Sequence, residues 1–254
     1  MDTAIIIPTF GQEDYTVRCF DSIAEHTNGY RLIWVDNGSS QESKDLVMTS
    51  FQNHRDRKLI DNAENLGFVK AVNQGLRLAL KDRGVKYVVV QNNDTIVTAG
   101  WLDRMRTIMK TQPRAGVVGP VTTYGAAQQA WKHIWKGKPV DEENSAARQK
   151  ALARKYGDAS AETPIVTFFC TMFRREVYDE LGLLDEDYGV GLWDDQDLCD
   201  KMRRARWKIV VALGAYVRHH HRTTFKAVYS NQEIESMKKK NQKVYAKKVK
   251  ERNA

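Results

Sequence analysis

Short apolar runs that stop abruptly at polar or turn residues recur along the first half of the chain, at AIIIPTF (4–10), RLIWVDN (31–37), KLIDN (58–62), YVVVQNN (87–93) and GVVGPV (116–121). Runs of this length predict strands buried on both faces of a sheet. Between them apolar residues return at helical spacing: Val17, Phe20 and Ile23 or Ala24; Val69, Val72, Leu76 and Leu80; Trp101, Leu102, Met105 and Ile108 or Met109. Alternation of this kind predicts an α/β fold with a mostly parallel central sheet flanked by helices. Pro113 and Gly116 then punctuate the chain, and residues 126–162 turn polar and rich in Ala, Lys and Glu around Trp131 and Trp135, as expected of an insertion or mobile loop. Strand character returns at PIVTFFCTMF (164–173), followed by expected helices at 174–181 and 195–205 and a strand at WKIVVAL (207–213). No repeat or low-complexity linker divides the chain, so the expected organisation is one domain over 1–225 and a basic helical extension over 226–254.

Composition changes this picture little. The 254 residues can bury a substantial core, 42% of them are hydrophobic and 28% charged, and no apolar run approaches the length of about eighteen needed to span a bilayer. The opening MDTAIIIPTF does not read as a secretory leader. Cys19, Cys170 and Cys199 are odd in number and far apart, which argues against a disulfide framework or zinc knuckle and leads us to expect a reducing, cytoplasmic setting. Charge is more informative once located. Residues 238–254 carry eight Lys or Arg against the single Glu251, so this stretch supplies +7 of the net +8. Such a tail suits DNA, RNA or an anionic membrane surface; it equally suits a solvated helix face.

In an open parallel sheet, ligands bind beyond the carboxyl ends of the strands, where loops and helix N-termini present unpaired groups to a crevice. Thr9, Asp36, Asn37, Asn62, Asn92, Asn93 and Asp94 all fall at such ends. One of them alone would be read as a turn or a helix cap. Their recurrence at four strand ends points to a binding site. The familiar signatures G-x-G-x-x-G after the first strand, G-x-x-x-x-G-K-[ST], H-E-x-x-H and G-x-S-x-G are absent, which removes the main support for dinucleotide oxidoreductases, P-loop NTPases, zincins and α/β-hydrolases. Nor does PTFGQ resemble the glycine-rich basic loop of a sugar-phosphate nucleotidyltransferase. A second cluster, GVGLWDDQDLCDKMRRARW (189–207), sets Asp194, Asp195 and Asp197 at the start of a helix; capping needs one carboxylate, so three suggest that one is placed for proton transfer. The triple histidine of AYVRHHHRTT (215–224) adds imidazoles, and oxygen with imidazole suits Mn²⁺ or a similar ion.

Together these stretches resemble the inverting family-two glycosyltransferases with the GT-A nucleotide-sugar fold. The resemblance rests on AIIIPTFGQ, LIWVDNGSSQES, NAENLGFVKAVNQGL, VVVQNNDTIVTAGWL and LWDDQDLCDKMRRARWKIVVALGAYVRHHH, which occur in the expected order over residues 4 to 224. It leans toward the rhamnosyl- and galactofuranosyltransferase-like branch, through NLGF and the W-[DE]-D-x-D-L element. The resemblance implies that Pro8, Thr9 and Asp36 line the nucleoside pocket, that Asn65 to Gly67 and Asn73 approach the ribose or diphosphate, and that Asn92, Asn93 and Asp94 stand at the D-x-D position. It further implies that His219, or else His221, completes a metal shell around Mn²⁺ or Mg²⁺, and that Asp195 is the catalytic base with Asp194 as its acceptor-binding neighbour. Trp193, Trp131 and Trp135 are assigned to the acceptor side. Asn92 departs from the acidic first position of the motif, and the missing charge implies weaker metal affinity.

The chemistry asks for these residue types. Breaking the anomeric bond of a nucleotide sugar leaves a diphosphate with extra negative charge, which a divalent ion stabilises. On the opposite face an acceptor hydroxyl must lose a proton to a carboxylate. A single displacement inverts the centre and needs one base, unlike the carboxylate pair of a retaining glycosidase. The expected donor is a UDP- or TDP-sugar. The acceptor is a surface or lipid-linked glycan, or alternatively a hydroxymethylated base in DNA held by the basic tail. A further alternative is a non-catalytic nucleic-acid-binding module that uses the tail with Trp131, Lys132, Trp135 and Lys136. Location follows the acceptor, either peripheral to the membrane or associated with DNA.

Overall fold

Strands that end in polar side chains must be aligned before those ends can form a site. The computed structural model describes residues 1–123, 129–135, 144–220 and 227–253. In it β1 (Thr3–Thr9), β2 (Arg31–Asn37), β3 (Arg57–Asn62) and β4 (Tyr87–Gln91) lie parallel in the spatial order β3-β2-β1-β4. Their crossovers are α1 (Glu13–His26), α2 (Gln41–Gln52) and α3 (Phe68–Lys81). After β4 come the short β5 (Thr95–Val97), α4 (Trp101–Thr111) and β6 (Ala115–Val121). The remaining elements are α5 (Trp131–Ile134), α6 (Ser145–Tyr156), β7 (Ser160–Glu162), β8 (Cys170–Arg174), α7 (Arg175–Leu181), α8 (Asp194–Arg204), β9 (Lys208–His219) and α9 (Asn231–Asn253).

The sheet is mixed rather than uniformly parallel. β8 lies antiparallel between β4 and β6, β6 pairs parallel with β9, and β5 and β7 pair antiparallel with β9. An apolar run shows that a strand is buried but not which way it runs, so this reversal was invisible in the sequence. The run at 164–173 yields strand pairing only from Cys170 onward, because Thr167 turns aside to bond Gln129 Oε1 through its N–H and hydroxyl. α2, unmarked by helical spacing, is fixed by its N-cap: Ser40 Oγ accepts from Ser43 N at 3.2 Å.

Alternation along each strand divides the core between two helical layers. Ile5 and Ile7 of β1 face Phe20, Trp34, Trp101 and Met105, while Ala4 and Ile6 face Val72, Leu76 and Val88. In the segment expected to be an insertion, α6 buries Arg148, Gln149 and Leu152. Trp131 is buried as well: it stacks on Trp135 at 5.2 Å, with the Arg148 guanidinium 4.9 Å over its ring. An acceptor-binding or base-stacking role for Trp131 is thereby overturned, since its faces are taken by protein. The C-terminal helix folds back onto the domain, burying Ile234 and Asn241.

Gly75 of α3 crosses directly over β1, and a Cβ there would lie 2.4 Å from Ile6 Cγ2. Alanine improves helix propensity by about 1 kcal/mol, but overpacking a rigid core costs about 1–3 kcal/mol. Gly75→Ala is therefore expected to lower the urea midpoint; a raised midpoint would show that this contact relaxes freely.

Candidate active site

The strand register brings the polar ends together. Thr9 pairs with Asp36, and Asn37 with Asn62, in adjacent rungs of β1-β2 and β2-β3. Much of this oxygen is satisfied within the chain. Asp36 is buried, accepts from Gly38 N at 3.2 Å, Ser39 N at 2.9 Å and Thr9 Oγ1 at 3.2 Å, and is not on the cavity wall; it sets the turn after β2. Asn37 Oδ1 accepts from Asn62 Nδ2 and Leu66 N, and Asn37 Nδ2 donates to Asn65 Oδ1 at 2.9 Å. That amide network shapes the 62–67 loop. Asn73 is a second correction: its Nδ2 donates to Leu184 O and Glu186 Oε1, its Oδ1 accepts from Leu184 N, and it does not reach the cavity. Helix α3 is locked to the loop before α8 in this way.

A cavity of about 310 Å³ opens beyond these strand ends. Of the expected site residues, Pro8, Thr9, Asn65, Gly67, Asn92, Asn93, Asp94, Asp194, Asp195 and His219 line it. His221 lies outside the described residues. Trp193 is not on the wall; its ring packs against Tyr245 at 5.2 Å. Sequence reasoning missed the apolar side of the cavity, formed by Phe10, Phe68, Phe168, Phe169, Val190, Leu192 and Tyr229. The Phe168-Phe169 pair was visible in the sequence but read as strand core.

On one wall, β9 continues past the expected 213 to His219, which pairs across from Thr95 of β5. This places His219 Nε2 at 3.2 Å from Asp94 Oδ1 and 3.5 Å from Asn92 Nδ2. Phe169 stacks on the imidazole at 4.9 Å and holds its plane. Asn92 Oδ1 is buried without a hydrogen-bond partner among the described residues, an arrangement that costs free energy unless a ligand completes it. Asn93 is tied to Thr16 Oγ1 at 2.9 Å. No group of three or more His, Cys, Asp or Glu among the described residues is arranged for a metal. Here the donor set is one carboxylate, one imidazole and one amide oxygen, which fits a hard or borderline divalent ion with positions left for a ligand.

On another wall, α8 begins with Asp194 and Asp195. Asp194 is buried, and removal from water together with the neighbouring Asp195 charge raises its pKa well above the usual carboxylate range. Burial raises Asp195 too, against the lowering effect of Gln196 N, which donates to its Oδ1 at 2.8 Å. The two titrate as a pair.

A model described as Glycosyl transferase family 2 matches residues 4–182, well over half of the chain. The protein belongs to glycosyl transferase family 2. Within the family, the N-acetylglucosaminyl-diphospho-decaprenol L-rhamnosyltransferase of Mycobacterium tuberculosis is 26% identical over 212 residues, covering 74% of this chain and 66% of its own length. The chain thus spans just under two thirds of that relative. Among solved structures, the Pyrobaculum calidifontis mannosyltransferase PcManGT in complex with GDP-Man and Mn²⁺ superposes with a TM-score of 0.63 at 20% identity, over 86% of this chain and 56% of that one. GalNAc-T7 with UDP, GalNAc and Mn²⁺ gives 0.64 at 16% identity, over 85% and 42%. The fold of this family-two chain is that of the GT-A glycosyltransferases.

The buried carboxylates predict a measurable burden on stability. In strong acid both folded and unfolded chains hold Asp194 protonated; as pH rises the unfolded chain ionises first, and folded stability falls until the raised folded pKa is passed. Asp194→Asn should therefore be more stable than the natural protein at pH 8, by roughly 1–3 kcal/mol. The gain should vanish toward pH 4. Denaturant titrations at both pH values check this, and an equal gain at each would point to packing rather than charge.

Proposed function

We propose that this protein transfers a sugar from a nucleoside-diphosphate sugar to an acceptor hydroxyl with inversion of the anomeric centre. The observation that carries this reading is the presence in one cavity of Asp94, His219 and the unpartnered Asn92 Oδ1 together with the buried pair Asp194 and Asp195. Asp195 accepts the acceptor proton as the new oxygen–carbon bond forms and the bond from carbon to diphosphate breaks, the electron pair leaving with the nucleoside diphosphate. A carboxylate raised by burial is the stronger base for that step, and Asp194 binds the acceptor beside it. Pro8, Thr9, Asn65 and Gly67 receive the UDP- or TDP-donor. Asp94, His219 and Asn92 would hold Mn²⁺ or Mg²⁺, which when bound supplies Lewis-acid stabilisation of the departing diphosphate.

We assign a lipid-linked glycan as acceptor. The Mycobacterium tuberculosis relative acts, by its name, on N-acetylglucosaminyl-diphospho-decaprenol. An independent feature agrees: Lys239, Lys240, Lys243, Lys247 and Lys250 are exposed and fall within roughly 100° of the α9 circumference, opposite its buried face. Such a stripe suits an anionic bilayer surface. No helix among the described residues is long and apolar enough to cross a membrane. The DNA-acceptor alternative makes the same use of the stripe and is separated by the acceptor chosen in the assay.

Nucleoside diphosphate release is to be followed with Mn²⁺ or EDTA and with a lipid-linked glycan, hydroxymethylated DNA or no acceptor. Asp195→Asn should lower transfer about 10²–10⁴-fold while donor binding persists. Full transfer by that variant would remove Asp195 as base. For the natural protein, rate should rise with pH as the raised carboxylate pair ionises. Replacing Lys239, Lys243 and Lys250 with Glu should abolish co-sedimentation with anionic vesicles at low salt, and undiminished binding would sink the membrane assignment.

A further inference from the structure

The segment that presents Asp194 and Asp195 is bent into a conformation that L-residues resist. Gly189, Gly191, Leu192 and Trp193 all have positive φ, at 56°, 98°, 69° and 81°. Glycine takes such angles freely, but Leu192 and Trp193 carry a Cβ and adopt them only when neighbouring structure imposes the bend. One restraint comes from the donor side, where Val69 N donates to Gly189 O at 3.1 Å. The other comes from the C-terminal helix.

We infer that Asn241 of α9 is a positioning residue for the carboxylate loop, so that the basic C-terminal helix belongs to the catalytic unit. This rests on the proposed transfer function. Asn241 is buried, and its Nδ2 donates to three carbonyls of the bent segment: Tyr188 O at 2.9 Å, Gly191 O at 2.7 Å and Leu192 O at 3.0 Å. Two amide hydrogens serve three acceptors, so one is shared, and the three carbonyls converge on a single point. Asn241 itself does not line the cavity; its effect passes through the loop. Ties on either side of it fix the helix in place. Lys248 Nζ lies 2.7 Å from both Asp185 Oδ2 and Asp187 Oδ2, Arg252 bonds Asp197 and lies 3.1 Å from Asp200 Oδ2, and Tyr245 packs on Trp193. Cations at the end of the chain thus clamp carboxylates that flank the loop before and after it. A shift of about 1 Å in a catalytic group is enough to lower turnover about 100-fold, so a loop bent against its own preference needs such a clamp.

The test replaces Asn241 with Leu, which keeps the branched outline of the side chain and does not lower helix propensity but removes both donors, and with Ser, which keeps one donor. Val244→Ala, on the same helix and packed against the core but making none of these bonds, controls for lost stability. Asn241→Leu should lower kcat about 100-fold with the donor KM little changed, and should move the acid limb of the pH–kcat profile; Asn241→Ser should lie between it and the natural protein. Carboxyl carbon NMR titration supplies a readout that needs no turnover: in Asn241→Leu the raised Asp194 and Asp195 titrations should fall toward the ordinary range as water enters. Unchanged titrations and kcat in folded Asn241→Leu would overturn the inference, as would parallel losses in Val244→Ala. If Asn241→Leu does not fold, Asn241→Ser carries the same comparison. Absence of transfer by the natural protein with every donor would sink the functional reading alone, since the NMR titration still decides the role of Asn241.

Discussion

The antiparallel pairing of β5 with the end of β9 is the contact on which the chemistry of the cavity depends. Thr95 stands opposite His219, so the imidazole arrives within 3.2 Å of Asp94 Oδ1 although 125 residues separate the two in sequence. A slip of one residue would send His219 to the other face and bring Arg218 in its place, since side chains alternate along a strand. The surroundings make that slip costly. Val217 and Tyr216 are fully buried, and Thr98 bonds Tyr216 O, so register is set by core packing and not by the polar groups it aligns.

Asn92 gives that wall an uncharged oxygen beside Asp94. An aspartate there would add a second carboxylate beside Asp94 in a site withdrawn from water, and two like charges in such a place repel strongly when no cation stands between them. The amide oxygen retains a ligand atom without the charge. The second charge is avoided at the cost of an oxygen that is left buried without a partner among the described residues. The opposite wall makes the reverse compromise: Asp194 and Asp195 are kept together and withdrawn from water, which weakens the fold and, under the proposed function, strengthens the base.

Much of the architecture was legible in the chain because strands buried on both faces and helices packed on one face leave periodic signatures. β1, β2, β4 and β6 and the helices α1, α3 and α4 stand where apolar runs and spacing put them. What could not be read was direction and side-chain commitment. Nothing in CTMFR states that β8 runs against its neighbours. Asp36 and Asn73 have the residue types of ligands and the positions of ligands, yet their hydrogen bonds are filled by Gly38, Ser39, Thr9, Leu184 and Glu186. Trp131 and Trp135 looked exposed because they lie in a polar stretch; they stack on each other instead. Asn92, Asp94, Asp195 and His219, which the family resemblance singles out, do line one cavity, although Asp195 also takes a local bond from Gln196 N at the start of α8.

The basic tail shows why charge summed along a sequence misjudges its use. Read as a line, 238–254 is a run of cations without partners. Wound into α9, it has two faces with different duties. Lys248 and Arg252 turn inward to Asp185, Asp187, Asp197 and Asp200, carboxylates that the sequence shows only as members of a distant acidic cluster. Lys239, Lys243 and Lys250 turn outward, where long-range attraction to an anionic surface is strongest. If the proposed function holds, one helix serves both requirements of an enzyme working on a tethered acceptor: its outer face meets an anionic surface, while its inner face holds the loop that carries Asp194 and Asp195. Removing the tail would eliminate both effects together, so loss of activity on truncation cannot by itself be read as loss of a binding site for the acceptor.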